Sequence, residues 1–361
     1  MNRQLGIAST IAIVAFAVTL ACPARVDDRR AELIEVVVEA QLLPDLRQAS
    51  ERGEALHARV GELCASPGVA PLDAVQDAWS QLRAPWKRLL ALPLGPIVDE
   101  GFDTAIDFWP ARPSSVEGGL SAGVTTQAEL DMLGVASKGM PAIEYLVWDP
   151  IGGDEAVLAA LTGPEGPARC AYVELLAADV SLRLAELEGL WTDHYATELR
   201  DAGETQQFPE LELAIDALVN AMIAGLHDID HMKLGKPLGL GTTGPNPEIV
   251  ESRFSGRSLA DARDGLAGFK AAYLGLEPQH VGLTILVAQR SPAVDTEVRE
   301  AIDAAQQALA DVPEPLATAL SDDPAAVEQA QLAIKQLRIT MTADVASVLG
   351  VTVSLSDNDG D

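Results

Sequence analysis

Apolar residues recur at helical spacing along most of this chain. In residues 29–65 they fall every three or four positions, which is the pattern of a helix with one buried face. These positions are Leu33, Val36, Val37, Ala40, Leu43 and Leu46. Pro44 is expected to bend this helix. A second helix is predicted from Leu72 to about Leu92. The alternating segment VTVSL at 351–355 would have no strand to pair with, so the pattern predicts an all-α protein.

The predicted helices fall into two packed bundles. A weak internal sequence similarity links LPLGPIVDEGF at 92–102 with KPLG…EIVESRF at 236–254. This similarity indicates either a duplicated bundle or chance, since Pro-Leu-Gly commonly ends a helix. The predicted boundaries are a signal peptide at 1–21, a linker at 22–28, an N-terminal helical bundle at 29–203 with an irregular insert at 93–125, a C-terminal helical bundle at 204–350 and a disordered tail at 351–361.

Composition narrows the class of partner. Hydrophobic residues make up 48% of the 361 residues and aromatic residues only 4%, which favours helices packed through small and aliphatic side chains. The formal net charge is −29. Because such a surface repels phosphate backbones, nucleic acid is not expected as a partner.

The first residues are typical of an export signal. A single arginine precedes a continuous apolar run that ends at Leu20-Ala21-Cys22, as in a bacterial secretory signal. A small residue before a cysteine at this point resembles a lipoprotein signal, in which Cys22 is lipidated after cleavage. The alternative is ordinary cleavage near Ala24. We expect a periplasmic protein that is held to the cell envelope, at the outer membrane, by a lipid anchor only.

Two cysteines remain if Cys22 is lipidated, namely Cys64 and Cys170. An even residual count in an exported chain predicts one disulfide between them. Two buried free thiols are the alternative.

A histidine pair lies in the segment GLHDIDHMKLG. Counted at 100° per residue, His227 and His231 share one stripe opposite the apolar face of their helix, with Asp230 adjacent and Asp228 pointing elsewhere. The stripe is either a solvated face near a helix end or part of a metal site that meets Glu144 across a cleft. Iron or zinc would need ligands beyond two imidazoles.

Two further segments suggest a binding cleft. On the helix of KGMPAIEYLVWDP, Glu144 shares a stripe with Tyr145 and Trp148, which indicates either a cleft or an ordinary exposed glutamate. In DFWPARP, Trp109 could stack on a ring and Arg112 could clamp a carboxylate. The alternative is that the pair only fixes this loop to the bundle.

GMPAIEYLVWD, together with DFWPARP, KLGKPLG and ESRFSGRSLAD in the same order, resembles the imelysin-like family, the M75 peptidase type. The resemblance covers roughly residues 30–350. It implies an exported, often lipid-anchored protein of two helical bundles that is linked to iron or haem uptake. The family pattern is Gly-x-His-x-x-Glu, and the position of its histidine is Pro141 here. Since proline cannot bind a metal, metallopeptidase activity through this motif is not expected.

Three hypotheses for the function remain open. The first is a non-catalytic envelope protein that binds iron, another metal or a small ligand for uptake, in contact with an envelope transport partner. Its cleft would contain Trp109, Arg112, Glu144, Tyr145 and Trp148, with Glu144, His227 and His231 as metal ligands. The second is a metallopeptidase of the M75 type that uses Glu144. The third is a structural or partner-docking lipoprotein.

Overall fold

The structure, a computed structural model, describes residues 26–354 except Thr243 and Gln279. All regular elements in this part of the chain are helical, which confirms the predicted all-α fold. The first half contains α1 (Val26–Val36), α2 (Leu43–Ala65), α3 (Val69–Leu90), α4 (Pro96–Asp99), α5 (Phe102–Asp107), α6 (Pro113–Ser121), α7 (Gln127–Asp131), α8 (Gly139–Val147), α9 (Gly153–Thr162), α10 (Gly166–Leu190) and α11 (Ala196–Arg200). The second half contains α12 (Leu211–His227), α13 (Lys236–Leu238), α14 (Ser258–Leu274), α15 (Thr284–Arg290), α16 (Pro292–Asp311), α17 (Leu316–Asp322), α18 (Pro324–Thr340) and α19 (Ala346–Leu349).

Several long helices continue through π-helical segments, in which hydrogen bonds run from residue i to residue i+5. Val37–Leu42 joins α1 to α2, so the predicted helix over 29–65 is continuous. Pro44 directly follows this segment and lies inside the continuous helix, where its missing N–H removes one backbone hydrogen bond. The other π-helical segments are Trp191–Tyr195, Asp228–Gly235 and Met341–Val345.

The helices pack into a single continuous core. In the first half α2 packs against α3 and α10, and in the second half α18 packs against α12, α16 and α17. The two halves meet where α14 lies along α3, and α1 also packs against α12 and α15 of the second half. Within the described residues, no helix is both long enough and apolar enough to cross a membrane.

Glycines allow the halves to approach closely beside the end of α3. A Cβ atom on Gly225 of α12 would lie 2.4 Å from the carbonyl oxygen of Ala91, and one on Gly268 of α14 would lie 2.6 Å from that of Arg88. Both distances are far below van der Waals contact, so only glycine fits at these positions. The junction between the halves is therefore tight and has a fixed geometry.

Two sequence predictions need correction. The insert at 93–125 is not irregular, because α4, α5 and α6 lie within it; each is too short to show a helical period. Residues 351–354 of the predicted tail are held against α12. The Asn220 amide donates to the carbonyl of Thr352 at 2.9 Å and accepts from the N–H of Ser354 at 2.9 Å. The two similar segments, 92–102 and 236–254, each contain a short helical turn after a helix end. The turn is α4 in the first segment and the 3₁₀ turn Pro247–Ile249 in the second.

Candidate functional site

Helix α3 buries two cations on the face that meets the second half of the molecule. Arg83 and Lys87 lie between the buried side chains of Trp79, Leu82 and Trp86, and only 1% of Arg83 and 4% of Lys87 is exposed. A charge at such depth costs several kcal/mol unless a carboxylate compensates it. The carboxylates that surround these two cations therefore define the site.

Three carboxylates from three separate segments supply this compensation. Arg83 bonds to Asp107 at the end of α5, and its Nε and Nη2 donate to Asp261 of α14 at 3.1 and 2.6 Å. Lys87 contacts Asp107 at 2.8 Å and Glu251 at 2.6 Å. We call Arg83, Lys87, Asp107, Glu251, Asp261 and Lys233 the buried ion cluster.

Lys233 completes this cluster from the π-helical segment. Its ammonium lies 3.1 Å from Glu251 and 4.7 Å from the centre of the Trp109 ring. Burial alone would lower the pKa of Lys233, but the carboxylates of Asp228, Glu251 and Asp107 raise it. In Glu251, the nearby Lys233, Lys87 and Arg83 outweigh burial and hold the pKa well below its usual range. Lys233 and Glu251 therefore stay charged.

The DFWPARP segment fixes one wall of the site. Trp109 donates its indole N–H to the carbonyl of Ile249 at 2.8 Å, which ties this loop of the first half to the second half. Arg112 is exposed, and its guanidinium lies over the ring of Phe108 at 5.4 Å. Of the predicted pair, Trp109 lines the pocket, whereas Arg112 does not line it and stacks on Phe108, which does.

An open pocket of about 440 Å³ lies beside the buried ion cluster. This volume is within the range of small-molecule sites. Its polar wall carries Lys87, Asp103, Thr104, Asp107, Asp228 and Lys233. Its remaining wall is apolar and is formed by Leu90, Pro93, Val98, Phe108, Trp109, Ala224 and Met232. The pocket therefore offers an apolar surface next to a charged one.

Glu144 lies on the other side of Trp109, in a small cavity of about 10 Å³, enough for about one water molecule. Its side chain is 1% exposed. Its Oε1 accepts hydrogen bonds from the N–H and the Oγ–H of Ser255, each at 2.8 Å. Burial outweighs these bonds and raises the pKa of Glu144 to about 7. The stripe containing Glu144 is thus not an exposed helix face.

Tyr145 and Trp148 belong to the same stripe but serve the packing around the site. Tyr145 donates to Glu117 at 2.8 Å and packs edge-on against Phe254. Trp148 packs edge-on against Trp79, with ring centres 5.1 Å apart. Neither ring lines the pocket of about 440 Å³ or the small Glu144 cavity.

The histidine pair does not face the pocket. His227 and His231 stack on each other with ring centres 5.0 Å apart. Burial lowers the pKa of His227. Both lie near Asp230, a buried residue that accepts from Arg338 of α18 at 3.0 Å. The neighbouring Asp228 lines the pocket instead.

The two imidazoles share one helix stripe with Asp230 beside them, as the sequence predicts, but this stripe lies against Asp230 and Arg338 and does not line the pocket. Among the described residues, no group of three or more His, Cys, Asp or Glu side chains could hold a metal ion. The structure therefore does not join Glu144, His227 and His231 into the metal site considered from the sequence.

The sequence and the fold of this chain are matched in known proteins. The sequence model described as Imelysin, Peptidase_M75, matches residues 42–341. The chain belongs to the imelysin family. Iron-regulated protein A of Synechococcus elongatus is 27% identical over 291 residues, which are 78% of this chain and 76% of the relative.

Solved structures share the imelysin fold. A protein from Parabacteroides distasonis, described as an iron-regulated protein A precursor, superposes with a TM-score of 0.78 at 20% identity, over 90% of this chain and 95% of that one. An imelysin-like protein from Psychrobacter arcticum superposes with a TM-score of 0.73 at 19% identity, over 91% and 98% of the two chains. At these identities the similarity establishes the fold.

The metal implied by the Gly-x-His-x-x-Glu pattern of imelysins does not fit the residues of this chain. Pro141 stands at the histidine position and lines the Glu144 cavity, and it offers no donor atom. Ser255 occupies Oε1 of Glu144, and the positive charge of Arg83 acts on the same carboxylate. The other carboxylates that line this cavity, Asp107 and Glu251, are already paired with Arg83 and Lys87, so a metal cation would meet the guanidinium of Arg83 and no free ligand set.

Most of the buried ion cluster was not identified from the sequence. Asp107, Glu251 and Asp261 lie inside or beside the quoted imelysin segments, but their roles depend on contacts between distant parts of the chain. One local signal was available for Arg83 and Lys87, because both occupy positions on the face of α3 that otherwise carries Trp79 and Trp86. A charge on a buried face predicts a partner.

The structure brings the two predicted disulfide partners into contact. Cys64 at the end of α2 and Cys170 in α10 are half-buried free thiols. Burial, followed by the contact with Cys170, raises the pKa of the Cys64 thiol. The disulfide remains a prediction. Cys22 and the signal segment lie outside the described residues.

Proposed function

We propose that this chain is an exported, non-catalytic imelysin of the bacterial cell envelope that binds a small ligand in the pocket beside the buried ion cluster, as part of iron handling. The observation that carries this proposal is the pocket itself, a cavity of about 440 Å³ at the junction of the two halves. Its walls combine an apolar surface with fixed charges, as small-molecule sites do.

Relatives and the sequence support the iron-related and envelope parts of the proposal. The matched protein of Synechococcus elongatus is named iron-regulated protein A, and the Parabacteroides distasonis structure is described as a precursor of such a protein. The apolar N-terminal run of this chain is typical of an export signal. In this proposal Cys22 carries the lipid that anchors the protein at the outer membrane.

A binding role is favoured over peptide hydrolysis because Glu144 is hydrogen-bonded to Ser255 and its surroundings, within the described residues, do not form a metal site. A metallopeptidase needs a metal to activate water and a base beside it. Glu144 has the raised pKa of a general base, but Pro141 supplies no ligand and Ser255 occupies Oε1. Peptide cleavage that depends on added zinc and is lost in Glu144→Gln would establish the enzymatic alternative.

The test uses a substitution that fills the pocket. Met232 lines the pocket, so Met232→Trp should block it without changing any charge. Met132→Trp adds the same ring where the native side chain is 86% exposed and serves as the matched control. The chain without its signal segment is purified, its metal content is measured, and Fe²⁺, Fe³⁺ and Zn²⁺ are titrated by calorimetry.

We expect iron held in a small-ligand chelate to be retained by the wild type, by Met132→Trp and by the His227→Ala/His231→Ala double variant, and to be lost in Met232→Trp. Bare Fe²⁺ and Fe³⁺ should bind only weakly to all four proteins, because the described residues of the pocket offer too few ligands for a metal ion. Iron lost only in the double histidine variant would place the site at the histidines and contradict the pocket. Absence of iron from the isolated wild type would remove the iron-related role.

A further inference from the structure

The charges of the buried ion cluster cancel one another. Its three cations, Arg83, Lys87 and Lys233, face three carboxylates, Asp107, Glu251 and Asp261. Lys87 by itself contacts two of these carboxylates, Asp107 at 2.8 Å and Glu251 at 2.6 Å. The two ammonium groups in the pocket wall are therefore already compensated, and neither is free to attract an anionic ligand.

Two further carboxylates in the same wall, Asp103 and Asp228, are compensated less, since Asp228 only shares Lys233 with Glu251. No lysine or arginine of the described residues lies within 4.0 Å of Asp103, although Asp103 is half-buried and lines the pocket. Asp228 has Lys233 at 3.7 Å, but that ammonium lies closer to Glu251, at 3.1 Å. The pocket wall thus has an excess of negative charge at Asp103 and Asp228.

These two carboxylates also act on each other. Burial raises the pKa of Asp103 above its ordinary value, and the charge of Asp228 adds to this effect, against hydrogen bonds from Thr104 that lower it. A positive group placed between the two would offset the cost of burying the charge of Asp103 and would reduce the repulsion between the two carboxylates. The overall charge of −29 further favours the approach of cations.

We propose that the pocket selects ligands that carry an organic cation, an ammonium or guanidinium group, which binds between Asp103 and Asp228 while an apolar body packs against Leu90, Val98 and Met232. This inference rests on the proposed function, since it assigns the ligand class of the same pocket. An iron chelate with a free ammonium group belongs to this class.

The pocket is better suited to an organic cation than to a bare metal ion. No described group of three His, Cys, Asp or Glu side chains could hold a metal, so Asp103 and Asp228 would leave most of an ion's coordination unfilled. The volume of about 440 Å³ and the apolar wall would contribute nothing to binding a metal ion. Both features have a use when the charge is carried on a hydrocarbon or aromatic body.

The test compares three fluorescent probes that differ in charge. Dansylcadaverine carries an ammonium group at the end of a five-carbon chain, N-acetyl-dansylcadaverine is neutral, and dansyl-6-aminohexanoate ends in a carboxylate. Binding is followed by fluorescence anisotropy with the wild type, Asp103→Asn, Asp228→Asn and the double variant. Asp77→Asn, which removes an exposed carboxylate of α3 away from the pocket, controls for the change in net charge.

We expect the cationic probe to bind the wild type and Asp77→Asn at least about tenfold more tightly than the other probes. The double variant should reduce this preference to about twofold or less, and Met232→Trp should abolish binding. Thermal unfolding checks that each variant is folded.

Equal or tighter binding of the carboxylate probe would overturn the charge assignment, and its loss in Met232→Trp would leave the pocket as the binding site. If the affinity for the cationic probe is unchanged in both Asp103→Asn/Asp228→Asn and Met232→Trp, the probe binds elsewhere and the inference is overturned. If no probe binds, the inference is wrong. The proposed function then stands or falls on the separate iron measurement.

Discussion

Replacing Glu144 by glutamine should change how the stability of the protein depends on pH. Glu144 is 1% exposed, and its two donors within the described residues, the N–H and Oγ–H of Ser255, both bond to Oε1. A glutamine can keep Oε1 as the acceptor of both bonds. The substitution therefore removes the titrating proton while it preserves the shape and the contact with Ser255.

The sign follows from the two pKa values of Glu144. Burial raises the pKa to about 7 in the folded chain, against an ordinary value of 4.5. The folded state thus binds the proton more tightly than the unfolded state. Its stabilising contribution is complete below the ordinary value and is lost as the pH rises through the folded value. Between about pH 5 and pH 8 the wild type should lose about 2.5 kcal/mol that Glu144→Gln does not lose.

Urea unfolding of both proteins at about pH 5 and pH 8 measures this difference, because all other titrating groups contribute equally to the two chains. Glu186→Gln removes an exposed carboxylate from α10 and controls for the loss of one surface charge. Glu144→Gln should gain stability over the wild type as the pH rises. A stability difference that stays constant with pH would refute the conclusion that burial dominates the titration of Glu144.

Three further substitutions test the structure around the site. Arg83→Met removes the cation shared by Asp107 and Asp261, which keep only Lys87 and Arg257, and leaves one buried negative charge uncompensated; it should destabilise the fold by about 3 to 5 kcal/mol. A loss under about 1 kcal/mol in urea unfolding would show that water reaches the cluster. Gly225→Ala forces a methyl group against Ala91 and should lower the free energy of unfolding by about 1 to 3 kcal/mol. The control is Gly189→Ala in α10, where an added methyl group meets nothing within 4 Å. This control should be neutral or should stabilise the fold by up to about 1 kcal/mol. Equal effects of the two alanines would contradict the close approach of the halves. Thiol counting without reductant should find Cys64 and Cys170 joined in protein that has been exported to an oxidising compartment. Cys64→Ser should then lower the thermal unfolding temperature. Two reactive thiols in the exported protein would contradict the disulfide.

The candidate site was only partly predictable because burial and orientation depend on distant contacts. The sequence placed Glu144 and Trp109 in segments of functional interest, and both line cavities beside the buried ion cluster. It also pointed to Arg112 and the histidine pair, which do not line the pocket. For His227 and His231 the helical count is correct, since the two rings stack on one stripe. The direction in which this stripe faces depends on how α12 and the segment Asp228–Gly235 pack against α18.

The sequence by itself determined the helical class, the approximate ends of the long helices and the family, because apolar spacing, proline and glycine stops and motif order are local properties of the chain. Only the tertiary structure decided which charges are buried together. Asp107, Glu251 and Asp261 are distant from Arg83 along the chain, and each has a sequence context that also fits an exposed residue. Their meeting depends on α14 lying along α3 and on glycines that let the backbones approach. Since electrostatic energy depends on distance and burial, the chemistry of this pocket is a property of the fold.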